Sequence, residues 1–252
     1  MGSGLIEFAR SLAEASGRLI RERFAAGDVG FDTKADHSMV TETDRDVEQM
    51  LREMIHAIHP DHGIIGEEFG SEGTDAEFVW TLDPIDGTIS FVSGVPLFGT
   101  LIGLMQNGQP ILGVIHQPVL EEIMIGDGER TTLNGREVAV RPCNRLEDAT
   151  LLTTDPSLAD RFQDGAKFQA LRRSTAMTRT WGDCYGYLML ASGRADIMLD
   201  PIMNQWDLMP LIPIIRGAGG VITDWHGGDP VIGNSIVAAG PGLHPQVLAA
   251  LT

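Results

Sequence analysis

Trp80-Thr-Leu-Asp83-Pro84-Ile85-Asp86-Gly87-Thr88 is the stretch around which the rest of the chain is read. Phe78 to Leu82 is apolar and β-prone, which predicts a strand ending in Asp83. Pro84 has no N–H for a ladder, so regular continuation is not expected and Asp83 and Asp86 fall in one tight turn. Like charges that close need a cation. Carboxylate and carbonyl oxygens are hard ligands that suit Mg²⁺, Mn²⁺ or Ca²⁺ better than zinc, and Mg²⁺ is the default inside cells. Gly87 and Thr88, followed by Ile89 and Phe91, can open a short helix whose free N–H groups face an anion. The alternative is an Asx-type turn in which both aspartates only cap the chain.

Upstream, Leu5, Phe8, Leu12, Leu19 and Ile20 recur at helical spacing within residues 4–26, with Arg10, Glu14, Arg18 and Glu22 on the other side. A second helix carries Val47, Met50, Leu51, Met54, Ile55 and Ile58, with Thr43 and Asp44 as start signals and Pro60 beyond, so Asp44 sits at a helix N-terminus. Gly63 to Gly66 runs into Glu67 and Glu68. Downstream, Leu97 to Met105 and Ile111 to Ile115 flank Gln106-Asn-Gly-Gln109 and predict a hairpin with a four- to five-residue turn. After Pro142 strands and helices alternate: Ala149–Thr154, Trp181–Ser192, Ala195–Leu199, Trp206–Arg216, Val221–Thr223, Ser235–Ala239 and His244–Leu251. The expectation is an α+β half over residues 1–142 and an α/β half over 143–252.

The composition narrows the partners. Of 252 residues, 18 are Lys or Arg and 35 Asp or Glu, a formal charge of −17 that argues against nucleic-acid or anionic-membrane binding through a basic face. Gly87 to Leu120 contains no charged residue, yet Pro96, Pro110, Pro118 and several glycines suit strands and turns rather than a membrane span. Cys143 and Cys184 are too few for a disulfide framework, and residues 1–8 show no secretory pattern, so a cytoplasmic location is expected.

Gly66-Glu67-Glu68, the Asp83-Pro-Ile-Asp86-Gly-Thr88 turn, and Trp206-Asp207 followed by Gly217-Ala-Gly-Gly220 resemble, in order and spacing, the inositol monophosphatase family of Mg²⁺-dependent phosphatases. Val40-Thr-Glu-Thr-Asp44 adds the helix entry that carries the family's catalytic aspartate. The resemblance implies a two-part layered sandwich of αβαβα type, a homodimer, and two to three Mg²⁺ ions acting on a small phosphorylated substrate. It implies that Glu67, Asp83 and the Ile85 carbonyl hold one metal, that Asp83, Asp86 and Asp207 hold another, and that a third shares Glu67 through water. The Gly87 and Thr88 amides would bind phosphate, and Asp44 with the Thr88 hydroxyl would orient and deprotonate the attacking water. Lys34 either assists phosphate or is a surface lysine.

Within the family, Asp83 to Phe91, Pro96 to Ile102, Gly113 to Pro118, Thr131 to Gly135, Ala149 to Asp155 and Trp181 to Tyr187 resemble the histidinol-phosphate phosphatase branch. Asp183 stands where inositol phosphatases carry a neutral hydroxyl residue. Histidinol bears an ammonium group and an imidazole, so Asp183 and Asp200 are expected beside a cationic leaving group, with Asp207 nearby. Asp183 could instead cap the following helix, and Asn204 and Tyr185 are candidates for further hydrogen bonds. Ile89 replaces the Lys or Thr of many relatives. The competing readings are an inositol-1-phosphatase or broad sugar phosphatase, and a regulatory protein with secondary phosphatase activity.

Overall fold

The computed structural model describes residues 3–27, 30–33 and 39–252; Lys34 and His37 lie outside them. The first half comprises α1 (Ser3–Ala26), the ribbon β1 (Phe31–Thr33) and β2 (Met39–Thr41), α2 (Glu42–Ile58), β3 (Gly63–Gly66), β4 (Gly70–Glu72), β5 (Phe78–Asp86), α3 (Thr88–Val92), β6 (Gly99–Gln106), β7 (Gln109–Gln117), β8 (Glu122–Gly126), β9 (Thr131–Leu133) and β10 (Arg136–Val138). The second comprises β11 (Thr150–Leu152), α4 (Leu158–Phe162), α5 (Gly165–Ser174), β12 (Met177–Arg179), α6 (Asp183–Ala191), β13 (Ile197–Asp200), α7 (Gln205–Gly217), β14 (Val221–Thr223), β15 (Ile236–Ala239) and α8 (His244–Leu251).

β3 to β10 form an eight-stranded sheet in the order β10-β9-β8-β7-β6-β5-β3-β4, antiparallel except where β3 runs parallel to β5. β11 to β15 form a five-stranded sheet in the order β12-β11-β13-β15-β14, with β11 parallel to both neighbours. Alternation along the strands sorts the side chains into three cores. Trp80, Leu82, Ile102 and Val114 point to α1 and α2. Val79, Leu101 and Ile115 point the other way, to α6 and α7, which also cover Leu152, Met198 and Ala238 of the second sheet. Leu151, Ile197 and Val237 face α5 and α8 on the far side. The layers therefore run helix, sheet, helix, sheet, helix, as the sequence implied.

Two local expectations change. β5 does not stop at Asp83: it continues through Pro84 to Asp86, and the ladder to β6 shifts between the pairs Asp83↔Leu101 and Asp86↔Gly99. The extra residue is absorbed as a bulge, and Thr100 on β6 donates its hydroxyl to the Pro84 carbonyl at 2.9 Å. The β6–β7 hairpin closes through two residues, Asn107 and Gly108, at φ 51° and 77°. That positive-φ pair matches the right-handed twist of the strands, so a longer turn is unnecessary.

α7 lies directly on the sheet. A Cβ on Gly113 of β7 would sit 1.8 Å from the Pro210 carbonyl oxygen, and one on Gly126 of β8 would sit 2.5 Å from Ile214 Cα. Glycines are thus what allow the helix to approach, and its N-terminus with Asp207 reaches the end of β5.

Candidate active site

Two elements deliver three acids to one place. Asp83 and Asp86 come from the bulged end of β5, and Asp207 from the first turn of α7. Each offers a carboxylate oxygen within 4.8 Å of the others. Asp83 and Asp86 are pushed well above the usual carboxylate range, first by burial and then by neighbouring charge: Glu67, Asp86 and Asp207 for Asp83, and Asp207 and Glu67 for Asp86. Asp207 is raised to about 7 by burial, with the Glu67 charge adding to it. Glu67 stands outside the 4.8 Å group, held where its N–H donates to the Leu82 carbonyl at 3.2 Å. Asp83 Oδ1 is buried without a hydrogen-bond partner. Buried carboxylates gathered this closely, one with an oxygen that no protein donor reaches, fit a bound cation, and all-oxygen ligation suits a hard divalent ion.

Asp44 and Asp207 share a local device. Asp44 is the third residue of α2, and its Oδ2 accepts from the Thr41 N–H at 2.8 Å and from the Thr41 hydroxyl. The Asp44 N–H donates back to Thr41 Oγ1 at 3.3 Å, so the helix cap is Thr41 rather than Thr43 or Asp44. In α7 the Asn204 N–H donates to Asp207 Oδ2 at 3.2 Å, which assigns Asn204 to holding Asp207. Asp44 is buried and raised to about 6, burial outweighing the lowering by Thr41.

Gly87 caps α3 at φ 90°, a left-handed backbone, and a Cβ there would meet the Leu97 carbonyl at 2.9 Å and Asp183 Oδ2 at 3.0 Å. The Thr88 hydroxyl donates to the Ile85 carbonyl at 3.1 Å, and no hydrogen bond joins it to Asp44. Ile89 is 67% exposed.

The second acidic group adjoins the first. Asp86, Asp183, Asp200 and Asp207 line one cavity of about 120 Å³ with Thr154 and Tyr187 among its walls. Asp183 is not the cap of α6, since Gly182 occupies that position and Asp183 is the first helical residue at φ 50°. Its N–H donates to Thr154 Oγ1 at 2.9 Å, while the Thr154 N–H donates to Asp200 Oδ1 at 2.9 Å. Burial raises Asp183 well above its usual range, and raises Asp200 to about 6. The Cys184 N–H, next in the chain, donates to Asp86 Oδ2, so the start of α6 ties the two acidic groups together.

Tyr185 is not at this site. Its phenol lies beside Glu122 and Arg194, whereas Tyr187 donates to Asp200 Oδ2 at 2.9 Å. Tyr187 lies one helical turn after Asp183 and shares its face, and that i, i+4 spacing was the available signal. Sequence reasoning also passed over Glu48 and Arg52. Glu48 is fully buried and accepts from the Glu68 N–H at 2.7 Å and the Phe69 N–H at 3.1 Å, while Arg52 Nε contacts Glu48 Oε1 at 2.8 Å. Arg52 continues to Glu72 at 2.8 Å and to the Gly70 carbonyl. This buried pair fixes the loop that carries Glu67.

The β5 and α7 ends of a five-layer sandwich converge on a nest of carboxylates that fits a divalent metal, and the family whose model this chain matches is one of phosphoric monoester hydrolases. Residues 2–252 match the model of the inositol monophosphatase family, and the chain belongs to it. It is 41% identical to the bifunctional phosphatase IMPL2, chloroplastic, of Arabidopsis thaliana, over 96% of this chain and 73% of that protein. It is 36% identical to the histidinol-phosphatase of Chlorobaculum parvum, over 98% and 96%. The solved structure of an inositol monophosphatase from Zymomonas mobilis superposes with a TM-score of 0.88 at 36% identity, covering 100% and 99%. Among the described residues no helix is long and apolar enough to cross a membrane.

Proposed function

We propose that the enzyme hydrolyses L-histidinol phosphate to L-histidinol and phosphate, with Mg²⁺ as its metal. The observation that carries this is the joining of Asp183 and Asp200 to Asp86 and Asp207 around one cavity. Two acids beyond the metal set attract an ammonium or imidazolium leaving group through charge, which a neutral polyol lacks. Two to three Mg²⁺ ions bound by Glu67, Asp83, the Ile85 carbonyl, Asp86 and Asp207 would neutralise the phosphate and supply Lewis acidity. The Gly87 and Thr88 amides orient the phosphate. Asp44, together with the Thr88 hydroxyl, positions the attacking water and accepts its proton. Thr154 and Tyr187 hold Asp183 and Asp200 toward the leaving group. The identity to a histidinol-phosphatase over nearly the whole of both chains supports this reading. A homodimer in the cytoplasm belongs to the same proposal.

Phosphate release from histidinol phosphate and from inositol 1-phosphate, at matched concentrations with Mg²⁺, tests it. Histidinol phosphate should be the better substrate. Asp183→Asn should lower its kcat/KM about 10- to 100-fold, the worth of one charge-assisted hydrogen bond of roughly 1.5–3 kcal/mol, while leaving inositol 1-phosphate turnover nearly unchanged. Asp86→Asn should abolish both. A preference for the inositol ester in the unsubstituted enzyme would overturn the substrate assignment.

A further inference from the structure

A second concavity lies between α1 and the turn joining β7 to β8. It is an open cleft of about 270 Å³ lined by Glu14, Arg18, Arg21, His116, Glu121 and Ile123. None of these residues lines the catalytic cavity. Two guanidinium groups and two carboxylates face the same space, yet among the described residues no ion pair within 4.0 Å involves any of the four, and Arg21 only donates to the Pro118 carbonyl at 3.3 Å. Arg18 even has Glu14 and Glu22 at ideal helical spacing. Side chains left unpaired in this way around a cleft match a ligand that brings both charges.

His116 adds a fixed polar group. It is buried, and its Nδ1 meets the Ala13 carbonyl at 2.6 Å. A carbonyl only accepts, so Nδ1 carries the proton and Nε2 is left as an acceptor. The ring rests on α1 at Gly17, where a Cβ would come within 2.0 Å of its Cε1. Glu121 is held at φ 56°, an uncommon backbone for a side chain of this size, which bends the strand connection around the cleft.

We infer that this cleft binds a small zwitterion of the α-amino acid class, its carboxylate on Arg18 and Arg21 and its ammonium toward Glu14 and Glu121. The site is one strand removed from the metal turn. His116 pairs with Thr100, whose hydroxyl holds the Pro84 carbonyl, and its own carbonyl packs against Gly99, the partner of Asp86. The inference is independent of the substrate proposed above.

The test is thermal unfolding of the full chain with each of the standard α-amino acids at 10 mM, tyrosine at saturation, against acetate and methylammonium as single-charge controls. At least one amino acid should raise Tm by about 3 °C, the shift expected when ligand is near ten times its Kd, and neither control should match it. Arg18→Gln and Glu121→Gln, both at exposed positions, should each lose at least half of that shift while leaving phosphate release without amino acid unchanged. No shift with any amino acid, an equal shift with acetate or methylammonium, or full retention of the shift in both variants would overturn the inference.

Discussion

Glu48 and Arg52 offer the sharpest test of how the loop bearing Glu67 is held. Replacing Glu48 by methionine leaves the Arg52 guanidinium, with a side chain 9% exposed, with the half-exposed Glu72 as its one carboxylate beside the Gly70 carbonyl, and strips the Glu68 and Phe69 amides of their acceptor. Breaking a buried pair from one side costs about 3–5 kcal/mol. At roughly 2–4 °C per kcal/mol for a domain of this size, Tm should fall by about 6–20 °C. Arg52→Met strands the carboxylate and should cost a similar amount. The double variant Glu48→Met with Arg52→Met removes both charges, so what remains lost is chiefly the two loop amide bonds, about 1–3 kcal/mol. Equilibrium urea unfolding of the four proteins closes the cycle, with an expected coupling of roughly 3 kcal/mol or more. If the two single losses add in the double variant to within about 0.5 kcal/mol, the pair does not act as a unit and the reasoning fails. The loosened loop should also raise the divalent-metal concentration needed for half-maximal phosphate release in Glu48→Met.

Two further outcomes follow from close packing. Burial holds His116 at about 4 rather than 6.5, with Arg21 adding to the lowering, so the unfolded chain binds a proton between those values that the folded chain refuses. Stability is therefore complete above pH 6.5 and declines as pH falls toward 4, by about 2 kcal/mol between pH 7 and pH 5; denaturant unfolding across that range should show a flatter profile for His116→Gln. Gly113→Ala drives a methyl group into the Pro210 carbonyl, a backbone atom 1.8 Å from the Cβ position, and should cost at least about 1–3 kcal/mol by calorimetry; an unchanged Tm would mean that α7 is free to shift off the sheet.

The residues legible in the sequence were those whose chemistry is unusual for their place. Asp83, Asp86 and Asp207 stood out because acids at strand and helix ends need a reason, and the structure gathers them. The long helices α1 and α2 were visible because each buries a continuous stripe. α5 was not, since only Gly165, Phe168 and Leu171 of its residues are buried and its other residues include Lys167, Arg172 and Arg173. β1, β4 and β12 are three residues each, too short for a period to emerge. Glu48 and Arg52 have the i, i+4 spacing of many pairs on solvated helix faces; what buries them is the return of residues 66–70 over α2, a contact between segments that local pattern cannot report. The exchange of Tyr185 for Tyr187 has the same origin, because which face of α6 meets β13 is decided by packing.

The placement of Asp207 has a consequence for the order of events during synthesis. Asp44, Glu67, Asp83 and Asp86 all emerge in the first half of the chain, but the oxygen that completes the 4.8 Å group comes on a helix seated in the glycine troughs of β7 and β8. A nascent chain that has made the whole large sheet still has its inner face bare and its acids mutually repelling. Arrival of α7 covers that face and closes the ligand set in one motion. The complete ligand set therefore exists only where a helix from the second half of the chain has docked on the sheet of the first, so the geometry of the site depends on the two halves having met.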